Sequence, residues 1–272
     1  MRTCLESDAF IKERIYLKNV SPRTVEWYRQ SFAWLSKFPL TENGVKDFVI
    51  AMRKAGLKPI SCNNRIRVAN AYFAWAKLPL KISRLKEDEK QLPTFSDKQV
   101  ASIHGYKPKG RCQLRLYTLV CTLFDTGVRI SEALSVKRPD VDFDNMLLNV
   151  KGKGGKHRLV PFSMELRRLL WRYCQKADTE LLFATRDGKP LGRRVVLRDF
   201  KLLCGRLGFT PPERSLHAIR HTFASTYIKR GGSQFHLMKI LGHSSLEMTK
   251  KYIHLQTEDL QAVHNGLSIL SR

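Results

Sequence analysis

No disulfide framework, zinc motif, membrane span or secretory leader can be read in this 272-residue chain. Its six cysteines are Cys4, Cys62, Cys112, Cys121, Cys174 and Cys204. None forms a C-x-x-C pair, and a disulfide framework is not expected in a chain of this size without a signal peptide. The eight histidines do not cluster with them, which argues against structural zinc. No stretch approaches the ~20 apolar residues of a membrane helix. The opening Met1-Arg-Thr-Cys-Leu-Glu-Ser-Asp8 has no hydrophobic signal region. A cytoplasmic protein with reduced thiols is therefore expected. A Walker loop, an acidic metal cluster, internal repeats and low-complexity tracts are lacking as well.

Acidic residues are scarce. Lys and Arg number 49 against 24 Asp and Glu, a formal charge of +25. The excess runs through the whole chain, with 18 basic and 9 acidic side chains in residues 1–90 and 31 and 15 in residues 91–272. Both parts can therefore face one polyanion. Duplex DNA carries a charge every ~1.7 Å of axis and rewards such a surface by releasing counterions. Charge alone would also suit acidic proteins or an anionic membrane surface.

What is present is mostly helix. The length predicts two domains. Four helices are expected within residues 4–77: Ser21-Pro22 is a helix start, and Val25, Tyr28, Phe32 and Leu35 form one stripe over Pro22–Phe38. Further helices are expected at Thr41–Ala55, ended by Gly56, and at Ser61–Lys77. Residues 81–95, charged and near Pro79 and Pro93, read as a linker. Beyond Ser96 a long apolar helix spans Arg111–Asp125. The period then changes to two strands, 145–150 and 157–161, around the turn Lys151-Gly-Lys-Gly-Gly-Lys156. Helices resume at 163–175, 193–207, 215–230, 233–241 and 245–254. The fold class is mainly α: a four-helix domain (1–80), then a larger helical domain (96–272) with a small antiparallel sheet.

Four local motifs carry chemistry, and each alone has an ordinary structural explanation. Thr126-Gly-Val-Arg129-Ile-Ser-Glu132 could be a capping turn with a surface arginine. The Lys151–Arg158 hairpin could be a solvated loop, and its Lys151, Lys153 and Lys156 compete for any single role. His217-Ala-Ile-Arg220 places two basic groups on one helix face, in a segment whose apolar flanks would bury the rest of the helix. Leu241-Gly-His243 is a plausible helix end, and Tyr252 follows nine residues after His243.

In this order the motifs resemble those of the tyrosine recombinases, the integrase and Xer-like site-specific DNA recombinases. That pattern has Arg in T-G-x-R-x-S-E, Lys in a β-hairpin, H-x-x-R, His in L-G-H, and Tyr. The resemblance covers nearly all of residues 94–256, and residues 1–80 look like the family's core-binding domain. It implies a catalytic set of Arg129, Lys153, His217, Arg220, His243 and Tyr252, with Lys153 chosen because it holds the family's G-K-G position. His221 would be a supporting residue, while Lys156 and Arg158 would grip phosphates.

The implied reaction is transesterification through a 3′-phosphotyrosine with no metal or other cofactor. The implied partner is double-stranded DNA bearing a recombination site, bound by a homo-tetramer that joins two such sites. No membrane partner is expected. Arg23, Arg65 and Arg67, near helix starts in the first domain, are candidates for groove or phosphate contacts. Residues 257–272 could add a tail helix that docks in cis or on a neighbour. The competing readings are a type IB topoisomerase that relaxes DNA as a monomer, and a DNA-binding protein without catalysis.

Overall fold

The computed structural model describes residues 5–87, 93–152, 155–176 and 179–243. The chain divides into two compact units, Met1–Lys90 and Gln91–Arg272. Lys153, Tyr252, the helix expected at 245–254 and the tail lie outside the described residues.

The first unit holds α1 (Leu5–Lys18), α2 (Pro22–Leu35), α3 (Glu42–Lys54) and α4 (Pro59–Trp75). Local chemistry sets their starts. The Ser21 and Thr41 hydroxyls accept the amides of Thr24 and Gly44, and Pro22 and Pro59 sit at first helical positions. α4 thus begins at Pro59, two residues before the expected Ser61. It is buried almost all round, through Ile66, Val68, Ala69, Tyr72 and Phe73, because the other three helices pack on it. Phe10, Phe32 and Tyr72 meet edge to face at the centre, with Phe32 and Tyr72 centroids 5.2 Å apart.

The segment after α4 is not a free linker over residues 81–87. Asn70 pairs with both backbone groups of Ile82, and Asn63 does the same with Leu85, at 2.8–2.9 Å. Leu80, Ile82 and Leu85 pack on the helical core. Two asparagine side chains therefore replace the partner strand that an extended segment needs.

The second unit is built around α6 (Arg111–Thr126), which packs against α8 (Met164–Cys174) and α10 (Ser215–Lys229). Buried Thr118, Thr122 and Thr126 each donate their hydroxyl to the carbonyl four residues back, so α6 can be buried without orphaned polar groups. The unit also contains α5 (Asp97–His104), α7 (Ile130–Ala133), α9 (Arg193–Arg206) and α11 (Gln234–Leu241). Its antiparallel sheet runs in the order β1 (Val141–Asp142), β2 (Leu147–Lys151), β3 (His157–Pro161), with Val150 opposite Arg158. β1 was not expected. β2 starts two residues late because Asp142 accepts the amides of Asp144 and Asn145, holding them in a turn.

Candidate active site

Arg129 stands just beyond the end of α6, as the residue before α7. Gly127 makes this possible. It closes α6 in the left-handed conformation (φ 63°), and a Cβ there would lie 2.3 Å from the Phe223 ring. Its carbonyl also accepts from Arg220 Nη1 at 2.8 Å.

Arg220 is buried on α10, whose other faces are closed by Leu216, Ala218, Ile219, Ala224 and Ile228. Its Nη2 donates to the Leu241 carbonyl at 2.7 Å and to His243 Nε2 at 3.0 Å. The guanidinium thus sits where α6 and α11 both end, at the electronegative pole of each helix. A guanidinium has donors only, so Nε2 of His243 is the acceptor and the neutral ring carries its proton on Nδ1. Burial first, then Arg220, Arg129, Arg158 and His221, push the His243 pKa down to about 4. His243 is neutral at pH 7.

His217, three residues before Arg220, does not share its environment: it stays partly open to solvent, whereas the arginine is buried. Its pKa is also lowered, by partial burial and then by Arg193, Arg214, Arg220 and Arg129. Arg193 Nη2 lies 3.2 Å from its Nε2.

Glu132 links these pieces. It is 6% exposed, accepts from the Arg129 amide at 2.8 Å and Nη1 at 2.9 Å, and takes a two-pronged contact from Arg158 Nη1 (3.2 Å) and Nη2 (2.8 Å). Burial opposes its charge, yet the bonds from Arg158 and Arg129 leave its pKa below the usual carboxylate value. Arg158 Nε donates in addition to the Ile240 carbonyl at 2.8 Å. Arg158 was expected to grip phosphate. Its donors are instead turned inward, joining β3 to α7 and α11. The sequence motifs assign no role to Glu132 and give no sign of Arg193. The inward turn of Arg158 had one sign in the sequence, its two-residue spacing from buried Val160.

Breaking a buried pair by removing one partner leaves an uncompensated charge. Glu132→Ala should lower unfolding free energy in urea by about 3–5 kcal/mol. A loss below about 1 kcal/mol, the range of exposed pairs, would mean that Arg129 and Arg158 do not depend on it.

Lys156 is exposed on the hairpin. In the first unit Arg23 is exposed, half-buried Arg65 reaches the Ser61 carbonyl at 3.4 Å, and Arg67 lies 5.0 Å over the Trp27 ring. Among the described residues no helix is long and apolar enough to cross a membrane.

The model of the phage integrase family matches residues 93–259. Tyrosine recombinase XerC of Xanthomonas campestris pv. campestris is 29% identical over 92% of this chain and 84% of its own length. XerC of Lactobacillus leichmannii is 27% identical over 91% and 94%. Among solved structures, the Tn1549 transposon integrase in complex with transposon right end DNA aligns with TM-score 0.75 at 22% identity, covering 96% of this chain and 98% of that one. The XerH recombinase bound to palindromic difH substrate aligns with TM-score 0.72 at 18% identity, covering 98% and 84%. These two likenesses show the same helical fold with its small sheet. With its family match over residues 93–259, more than half of its length, the chain belongs to the phage integrase family and is a site-specific tyrosine recombinase.

Proposed function

We propose that strand transfer runs through Tyr252, served by Arg129, Lys153, His217, Arg220 and His243. The hydroxyl oxygen of Tyr252 attacks phosphorus, the bond to the 5′ oxygen breaks, and a 3′-phosphotyrosine remains. Lys153 gives the leaving oxygen its proton as general acid, and His217 accepts the tyrosine proton as base. Arg129 and Arg220 hold the charge that develops on the non-bridging oxygens, and His243 donates a hydrogen bond beside them. Religation is the reverse, so the phosphodiester energy stays in the intermediate and no cofactor is called for.

The observation that carries this reading is the gathering of Arg129, Arg220 and His243 at the joined ends of α6 and α11, with Glu132 fixing one arginine. Two fixed cations beside a neutral imidazole suit a pentavalent phosphate, which is more anionic than the diester it comes from. The low pKa of His217 supports a base that is unprotonated at neutral pH.

Residues 1–80 act as the core-binding domain, with Arg23, Arg65 and Arg67 toward DNA and Lys156 on a phosphate from the hairpin. Arg158 serves as a strut for Glu132. The partner is duplex DNA carrying a recombination site, as the XerH and Tn1549 complexes are DNA complexes. The working assembly is a homo-tetramer on two such sites, in the cytoplasm. Sedimentation of the protein with site-bearing duplexes should resolve that tetramer, and plasmid lacking the site should stay supercoiled. A monomer that relaxes any plasmid would instead favour a topoisomerase-like activity.

A further inference from the structure

His217 enters the mechanism as a base, yet its basic nitrogen is already occupied. Arg193 opens α9 and places Nη2 3.2 Å from His217 Nε2. The arginine can only donate, so Nε2 accepts and the neutral ring carries its proton on Nδ1. A neutral imidazole has one basic lone pair, and here Arg193 takes it. Among the described residues, the charged groups that act on the ring are all cations: Arg193 from α9, Arg214 and Arg220 on or beside α10, and Arg129 before α7. No carboxylate among the described residues pairs with Arg193, and its side chain is exposed.

We infer that Arg193 is a positioning residue that caps the base in the DNA-free protein and yields it when duplex docks. The cap sits on the nitrogen that must receive the Tyr252 proton. Its bond to a neutral ring carries charge on the donor alone, whereas a bond to phosphate joins opposite charges and can be two-pronged. A backbone phosphate beside the site therefore draws the guanidinium away and frees Nε2. Catalytic competence is in this way tied to DNA contact. The inference rests on His217 being the base.

Diethyl pyrocarbonate acylates an unprotonated imidazole nitrogen, and peptide mass mapping reads His217 separately from the other histidines. In DNA-free protein at neutral pH, Arg193→Met should label at His217 several-fold faster than wild type. Arg194→Met, which removes the neighbouring charge, should label at the wild-type rate. Equal labelling of wild type and Arg193→Met would overturn the cap.

Release is tested in the complex, by the pH dependence of single-turnover cleavage of a nicked duplex. Loss of a nearby cation raises a histidine pKa, so a retained Arg193 would make the acid limb of Arg193→Met move to higher pH. If Arg193 has moved to phosphate, the limbs of wild type and variant coincide. A shifted limb would overturn release. Undiminished cleavage by His217→Ala would remove His217 as base, and the labelling result would stand apart from that failure.

Discussion

Tyr252→Phe is expected to bind duplex DNA with nearly wild-type affinity and to form no covalent adduct. The phenyl ring keeps the packing volume and loses only the oxygen that attacks phosphorus. Affinity for DNA comes mainly from cations neutralising phosphates, and this change removes none of the 49 basic side chains. A nucleophile has no substitute, so the effect on adduct formation is all or none. Denaturing gels of protein incubated with nicked duplex separate the two properties. A persisting adduct would sink the assignment and turn attention to Tyr227. The structure gives Tyr227 other work: it lies 5.9 Å from the Phe223 ring in the cluster of Ala224, Ile228, Leu237 and Leu241. Its ring also covers Gly232, where a Cβ would come within 2.2 Å.

The second large effect concerns the proton for the leaving group. Lys153→Ala should slow cleavage by about 10²–10⁴-fold, the contribution of a positioned general acid. Sulfur in place of the bridging 5′ oxygen leaves readily without a proton, so cleavage by this variant should recover on the substituted strand. Arg129→Ala and Arg220→Ala should stay slow on the same strand, because they act on the non-bridging oxygens. Lys156→Ala should weaken binding more than cleavage. The assignment fails if sulfur rescues Lys156→Ala and leaves Lys153→Ala slow. Three lysines lie within six residues of one turn, and only a chemical rescue tells an acid from a phosphate contact.

The sequence by itself determined the helical elements and most of their ends, and it offered the candidates for the site. Those properties are local. A cap needs its own next three residues, as Ser21, Thr41 and Ser163 do, and a left-handed helix end needs glycine, as at Gly127 and Gly242. The motif positions of Arg129, His217, Arg220 and His243 could be read because they share flanks and order with a known family.

What those residues do to one another was decided only by tertiary structure. Spacing put His217 and Arg220 on one helix face, but whether that face met solvent or a neighbouring helix depended on α6 and α11. Arg158 looked like one more cation on a basic hairpin, until folding brought it to a carboxylate 26 residues away. The charged stretch after α4 looked like linker until Asn63 and Asn70 held it. Each outcome turns on the desolvation of a polar group by a partner distant in sequence. Burial sets whether a charge is a surface ornament or a fixed component, and composition and periodicity carry no record of which distant partner will bury it.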